Sequence, residues 1–111
     1  MIDWTRIAEL RDEIGAENFH EVVDLFLKEV ETTLADLPGA MAQPAEMEEK
    51  LHFLKGSALN LGFSALADCC QSGEIAARSG STAPIDVDAI LSLYARSRGT
   101  FLSEQPERLA A

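Results

Sequence analysis

The chain has 111 residues, 47% of them hydrophobic, which suits one domain with a real core, is short for two, and is too apolar for a disordered segment. Nine basic residues against nineteen acidic ones leave a net charge of −10, which repels nucleic-acid phosphates and anionic lipid alike. No apolar run approaches the length of a signal-peptide core or a membrane span, so the expectation is a single cytoplasmic domain over residues 1–111.

Apolar residues recur at helical spacing almost throughout, and no segment alternates with period two for long enough to be a strand. Asp3 is placed to cap a short first helix whose Ile7, Leu10 and Ile14 share a face, with Gly15 ending it. A second helix, from about Glu17 to Leu37, carries Phe19, Val22, Val23, Phe26, Val30, Leu34 and Leu37 as its inner stripe and is expected to stop at Pro38-Gly39. His20 falls outside that stripe and reads as an ordinary surface residue.

A third helix, about Ala45 to Leu61, has Met47, Leu51, Leu54, Ala58 and Leu61 as core positions, and its acidic start at Glu46, Glu48 and Glu49 suits the positive end of the helix dipole. Gly62 is expected just past its end, with Ser64 capping a fourth helix that runs to about Arg78. The inner face there is Leu66, Cys69, Cys70, Gly73, Ala76 and Ala77, mostly small, so this helix should approach a neighbour closely. Adjacent Cys69 and Cys70 read as small apolar residues of a reducing compartment, and neither they nor the distant His20 and His52 have the spacing of a zinc site.

Ser79 to Pro84 is a turn-rich linker, after which Asp86 can cap a last helix bearing Val87, Ile90, Leu91, Tyr94, Phe101 and Leu102, with a break expected near Gly99. The fold class that follows is all-α, an antiparallel up-down-up-down four-helix bundle with a short additional N-terminal helix.

The third helix poses the functional question. Stepping about 100° per residue, His52 falls about 160° from Leu54, almost opposite the core, with Lys55 on the flank as its i+3 neighbour and Gly56 one turn along. Gly56 costs roughly 1 kcal/mol relative to alanine in a helix interior, so something other than helix formation recommends it. An exposed imidazole is a nucleophile near neutral pH. If His52 is transiently phosphorylated, Lys55 neutralises the attached charge and Gly56 clears the approach. Phe53 and Leu59 project from the core arc on either side of His52 and, with Phe63 near the helix end, suggest a docking patch for a partner domain.

The string His52-Phe53-Leu54-Lys55-Gly56-Ser57, continued by Leu61-Gly62, Leu66, Cys70 and Glu74, resembles the histidine-containing phosphotransfer domain family of multistep phosphorelays. The matching motif covers about a fifth of the chain, and Gly73, where a larger apolar residue is usual, departs from the family pattern. The resemblance implies that His52 accepts a phosphoryl group from a receiver-domain phospho-aspartate and passes it to another receiver aspartate. It further implies that Lys55 binds the phosphoryl oxygens, that Gly56 keeps access open, and that Glu74 supports the histidine site. The partners it implies are receiver domains of response regulators and hybrid histidine kinases. The chain has no Gly-rich nucleotide loop, so it is expected to be a carrier without its own ATP site or cofactor, relying on Mg²⁺ in the partner receiver. An unsymmetrical docking patch on a complete bundle favours a monomer.

Two rivals belong to other classes. One is a helical adaptor that binds a kinase or receiver without carrying phosphate. The other is a carboxylate-bridged metal bundle, against which Glu49 and His52 both face outward and no second Glu-x-x-His pair exists.

Overall fold

The computed structural model describes residues 2–109 as five helices, α1 (Trp4–Ile14), α2 (Ala16–Ala40), α3 (Pro44–Asn60), α4 (Ser64–Arg78) and α5 (Val87–Arg108). Among the described residues the one extended pairing is an isolated bridge between Ile2 and Phe63. The helices pack around a continuous apolar core to which all five contribute.

Capping sets the first boundaries. The Asp3 side chain accepts from the Arg6 backbone N–H at 3.1 Å, and Gly15, at φ +88°, lets α1 turn directly into α2. Along α2 the buried stripe is Phe19, Val23, Leu27, Val30, Leu34, Leu37 and Ala40, with Val22 and Phe26 half-buried at its border. The stripe includes Leu27, which the sequence reading omits, and α2 does not stop at Pro38. The helix ends two residues after the proline, and the buried Ala40 sets that last turn against the core.

Met47, Leu51, Leu54, Ala58 and Leu61 are all buried, as the periodicity of α3 requires. The α3–α4 turn is built on Gly62, whose φ is +71° and where a Cβ would lie 2.6 Å from the Asp3 carbonyl oxygen. This reversal swings Phe63 inward, onto Tyr94 and Phe101 at ring-centroid distances of 6.4 and 6.0 Å. Phe63, fully buried, therefore cannot belong to a surface docking patch. It also occupies the cap position of α4, so Ser64 is the first helical residue rather than the cap.

α3 and α4 meet at Gly73. A Cβ there would come within 2.8 Å of Leu51 Cδ1, so the missing side chain is what admits the buried leucine. Cys70 is buried beside this contact and its thiol is pushed up to about 12 by burial, while Cys69 is half-buried.

Asp86 caps α5 by accepting from the Ala89 N–H at 3.0 Å. The helix runs unbroken through Gly99, because Ile90, Tyr94, Ser97 and Phe101 keep one inward face across it and Gly99 points to solvent. Leu91 and Leu102, read as core, are exposed at 37% and 44%, and Ser97 takes the inward position between Tyr94 and Phe101. The Tyr94 hydroxyl donates to Glu31 Oε2 at 2.6 Å and ties α5 to α2.

Two helical glycines should respond in opposite senses to alanine. Gly99→Ala, with nothing within 4 Å of the added carbon, should stabilise by up to about 1 kcal/mol. Gly73→Ala gains the same propensity but overpacks against Leu51, a cost of about 1–3 kcal/mol, and should lose about 1 kcal/mol net in urea unfolding. A Gly73→Ala protein more stable than the parent would show that the α3–α4 fit is not close.

Candidate functional site

The close fit at Gly73 places the next residue of α4, Glu74, against the outer flank of α3. Its carboxylate is 4% exposed, yet it meets three nitrogens. Lys55 Nζ pairs with Oε1 at 2.9 Å, whereas His52 Nδ1 and Arg78 Nη2 share Oε2 at 2.9 and 3.1 Å. Arg78 reaches sideways as well, its Nε donating to Glu48 Oε2 at 2.8 Å.

Burying a carboxylate costs several kcal/mol unless it is paired, and this one is paired by residues from both helices. Lys55, first, and then the His52 ring hold the Glu74 carboxyl below the usual carboxylate range, against the opposing pull of burial. The group is therefore ionised at neutral pH and can only accept hydrogen bonds. It follows that Nδ1 of His52 carries the proton of the 2.9 Å contact, so that in the neutral ring the lone pair is on Nε2. The imidazole side chain is 69% exposed, so this lone pair is available to a reactant from solvent.

Gly56 lies one turn beyond the ring. It has no positive φ, and a Cβ at this position would meet nothing within 4 Å. Neither backbone geometry nor packing demands a glycine, so its use must lie outside the folded chain. Ser57 is buried and takes no part in the surface.

His52, Lys55 and Glu74 are thus brought together, with Gly56 beside them. Phe53 and Leu59 are exposed at 40% and 54%, and Phe53 lines a groove with Leu25, Lys28, Glu29, Thr32 and Thr33 of α2. Two members of the surface are absent from the sequence reading. Leu25 is signalled by being a large apolar residue off a stripe that is already complete. Arg78 is signalled by its i+4 spacing from Glu74. A depression beside the histidine is lined by Glu48, Glu49, His52, Glu74 and Arg78.

A family model described as the Hpt domain matches residues 21–100, from early in α2 to late in α5. The chain belongs to the Hpt domain family. Comparison with curated proteins and with solved structures returns no match. Hpt domains are phosphoryl carriers that serve histidine phosphotransfer in two-component systems and meet receiver domains there. His52, Lys55, Gly56 and Glu74 lie within the matched span of this Hpt domain, and α1 lies outside it. No helix among the described residues is long and apolar enough to cross a membrane.

The lowered Glu74 carboxyl has a definite consequence for acid stability. A group whose folded value lies below its unfolded one, here 4.5, contributes stability that is complete above 4.5 and is lost as pH falls through the folded value. Breaking a fully buried pair costs about 3–5 kcal/mol, and the exposure of Arg78 and His52 puts this site below that range. Glu74→Gln should therefore be less stable than the parent at pH 7, with the gap closing as pH drops below about 4.5. Urea midpoints of both proteins between pH 7 and 3 check this, and a gap that widens in acid would reverse the assignment.

Proposed function

We propose that this Hpt domain relays a phosphoryl group through Nε2 of His52, between receiver domains of hybrid histidine kinases and of response regulators. The observation that carries the reading is the 2.9 Å contact of His52 Nδ1 with an ionised, buried Glu74, which leaves an outward Nε2 lone pair beside Lys55.

In the accepting step the Nε2 lone pair forms the N–P bond as the P–O bond to the donor aspartate breaks, and the aspartate carboxylate leaves with the electron pair. The ring then carries the phosphoryl group on Nε2 and a proton on Nδ1, its positive charge facing Glu74. The return step reverses these bonds, so no proton need enter or leave. Lys55 is placed to bind phosphoryl oxygens, and the bare Gly56 face lets the in-line geometry form without obstruction.

The domain supplies no ATP site in this scheme. Mg²⁺ and the second reactive carboxylate belong to the partner receiver, which docks over Phe53, Leu59 and the adjoining Leu25. The finer architecture we assign is a single unit over residues 1–111, with α2 to α5 as an antiparallel up-down-up-down bundle and α1 appended. It acts as a cytoplasmic monomer, in keeping with an unsymmetrical docking face on a complete bundle.

A receiver domain carrying radiolabelled phosphate tests the proposal. His52→Gln should keep the helical circular dichroism of the parent and take up no acid-labile label, while Gly56→Gln should remain folded and label at least tenfold more slowly. Label retained by the His52→Gln protein would place the phosphoryl group elsewhere.

A further inference from the structure

Resting on that reading, we propose that Arg78 is a positioning cation that Glu48 holds aside in the resting protein and that moves onto the phosphoryl group once His52 carries it.

The starting arrangement is explicit. Arg78 spans two carboxylates, with Nε on Glu48 Oε2 at 2.8 Å and Nη2 on Glu74 Oε2 at 3.1 Å. Its Nη2 and the His52 Nδ1 contact the same carboxylate oxygen, so guanidinium and ring are separated by no more than two hydrogen-bond lengths. Glu48, Glu49, Glu74, His52 and Arg78 line one depression, in which Arg78 is the only cation. Lys55 pairs with the other oxygen of Glu74, Oε1.

Charge decides what happens next. A phosphoryl group brings a charge of about −1.5 to −2 and three strong acceptor oxygens into a depression already lined by three carboxylates. One lysine, itself paired to Glu74, leaves that charge poorly matched. Arg78 has what is missing: a planar fork that meets phosphate oxygens two at a time, on a stem free enough to turn, since its side chain is 63% exposed. Its present hold on Glu48 is an ion pair open to water, and pairs of that kind contribute little. The dianion outcompetes it. Glu48 then loses its partner, so the empty and loaded proteins present different charge patterns beside His52, and a docking receiver meets a bare carboxylate only on the loaded form.

A merely structural clasp between α3 and α4 makes the opposite forecast, and this separates the two. If Arg78 and Glu48 only hold the helices together, removing either should weaken the site in the same direction. If Glu48 competes with the phosphoryl group for Arg78, the two removals should act oppositely.

The experiment loads the full chain with phosphoramidate, a small-molecule donor whose P–N bond breaks as ammonia leaves, and follows the phosphohistidine fraction at equilibrium with a receiver domain. Arg78→Ala should lower the loaded fraction severalfold, Glu48→Gln should raise it severalfold, and Arg78→Lys should recover only part of the loss. In the parent, the Arg78 Nε–H resonance should shift on loading, and in Glu48→Gln it should already be displaced before loading. Equal loading of Arg78→Ala and Glu48→Gln, or changes of the same sign, would overturn the proposal while leaving His52 as the acceptor. Absence of label from the parent itself would instead overturn the phosphotransfer reading on which it rests.

Discussion

A carboxylate that is almost fully buried yet ionised is the constraint around which this Hpt domain is arranged. Glu74 can stay charged only if cations and hydrogen-bond donors come to it, and Lys55, Arg78 and His52 do so from two helices. They reach it because Gly73, the preceding residue, has no side chain to hold α4 away from Leu51. Packing in the core and electrostatics at the surface are therefore one problem. The same contact that compensates the charge chooses which nitrogen of His52 is protonated, and thereby which nitrogen is free to react.

This arrangement explains how a carrier can work without strong catalytic power. The ring is pre-set in one tautomer, a cation stands on the flank of its helix, and one neighbouring helical position is left bare. In the proposed relay nothing at the site has to move a proton. Phe53 and Leu25 stand exposed on one groove beside this site, the face to which the proposed function assigns docking.

Much of this was legible in the sequence where a single physical rule governs the outcome. Asp3 and Asp86 cap as expected because a carboxylate before an apolar-periodic segment has few better uses, and the α3 core positions follow from spacing alone. His52, Lys55, Gly56 and Glu74 were legible as a motif, and the fold sets the first, second and fourth of them within one ion-pair cluster. The misreadings share a cause, which is that a local signal was weighed without the burial that overrides it. Pro38 and Gly99 look like breaks, but α2 runs two residues past the proline to a buried Ala40, and Phe101 gains more from burial than Gly99 costs. Phe63 looks exposed because it lies past a helix end, yet the left-handed Gly62 turns it into the core. Arg78 carries no motif, and its place at the site depends on α4 crossing α3 closely, which Gly73 hints at and only the fold displays.

The central claim is that Glu74 fixes the proton on Nδ1 of His52 and directs chemistry to Nε2. Nitrogen-15 spectra of the imidazole, recorded at neutral pH before and after loading with phosphoramidate, test it most directly. The account predicts a protonated Nδ1 and an unprotonated Nε2 in the empty protein, and phosphorus coupling to Nε2 alone in the loaded one. A proton on Nε2 in the empty neutral ring, or phosphorus coupled to Nδ1, would contradict it.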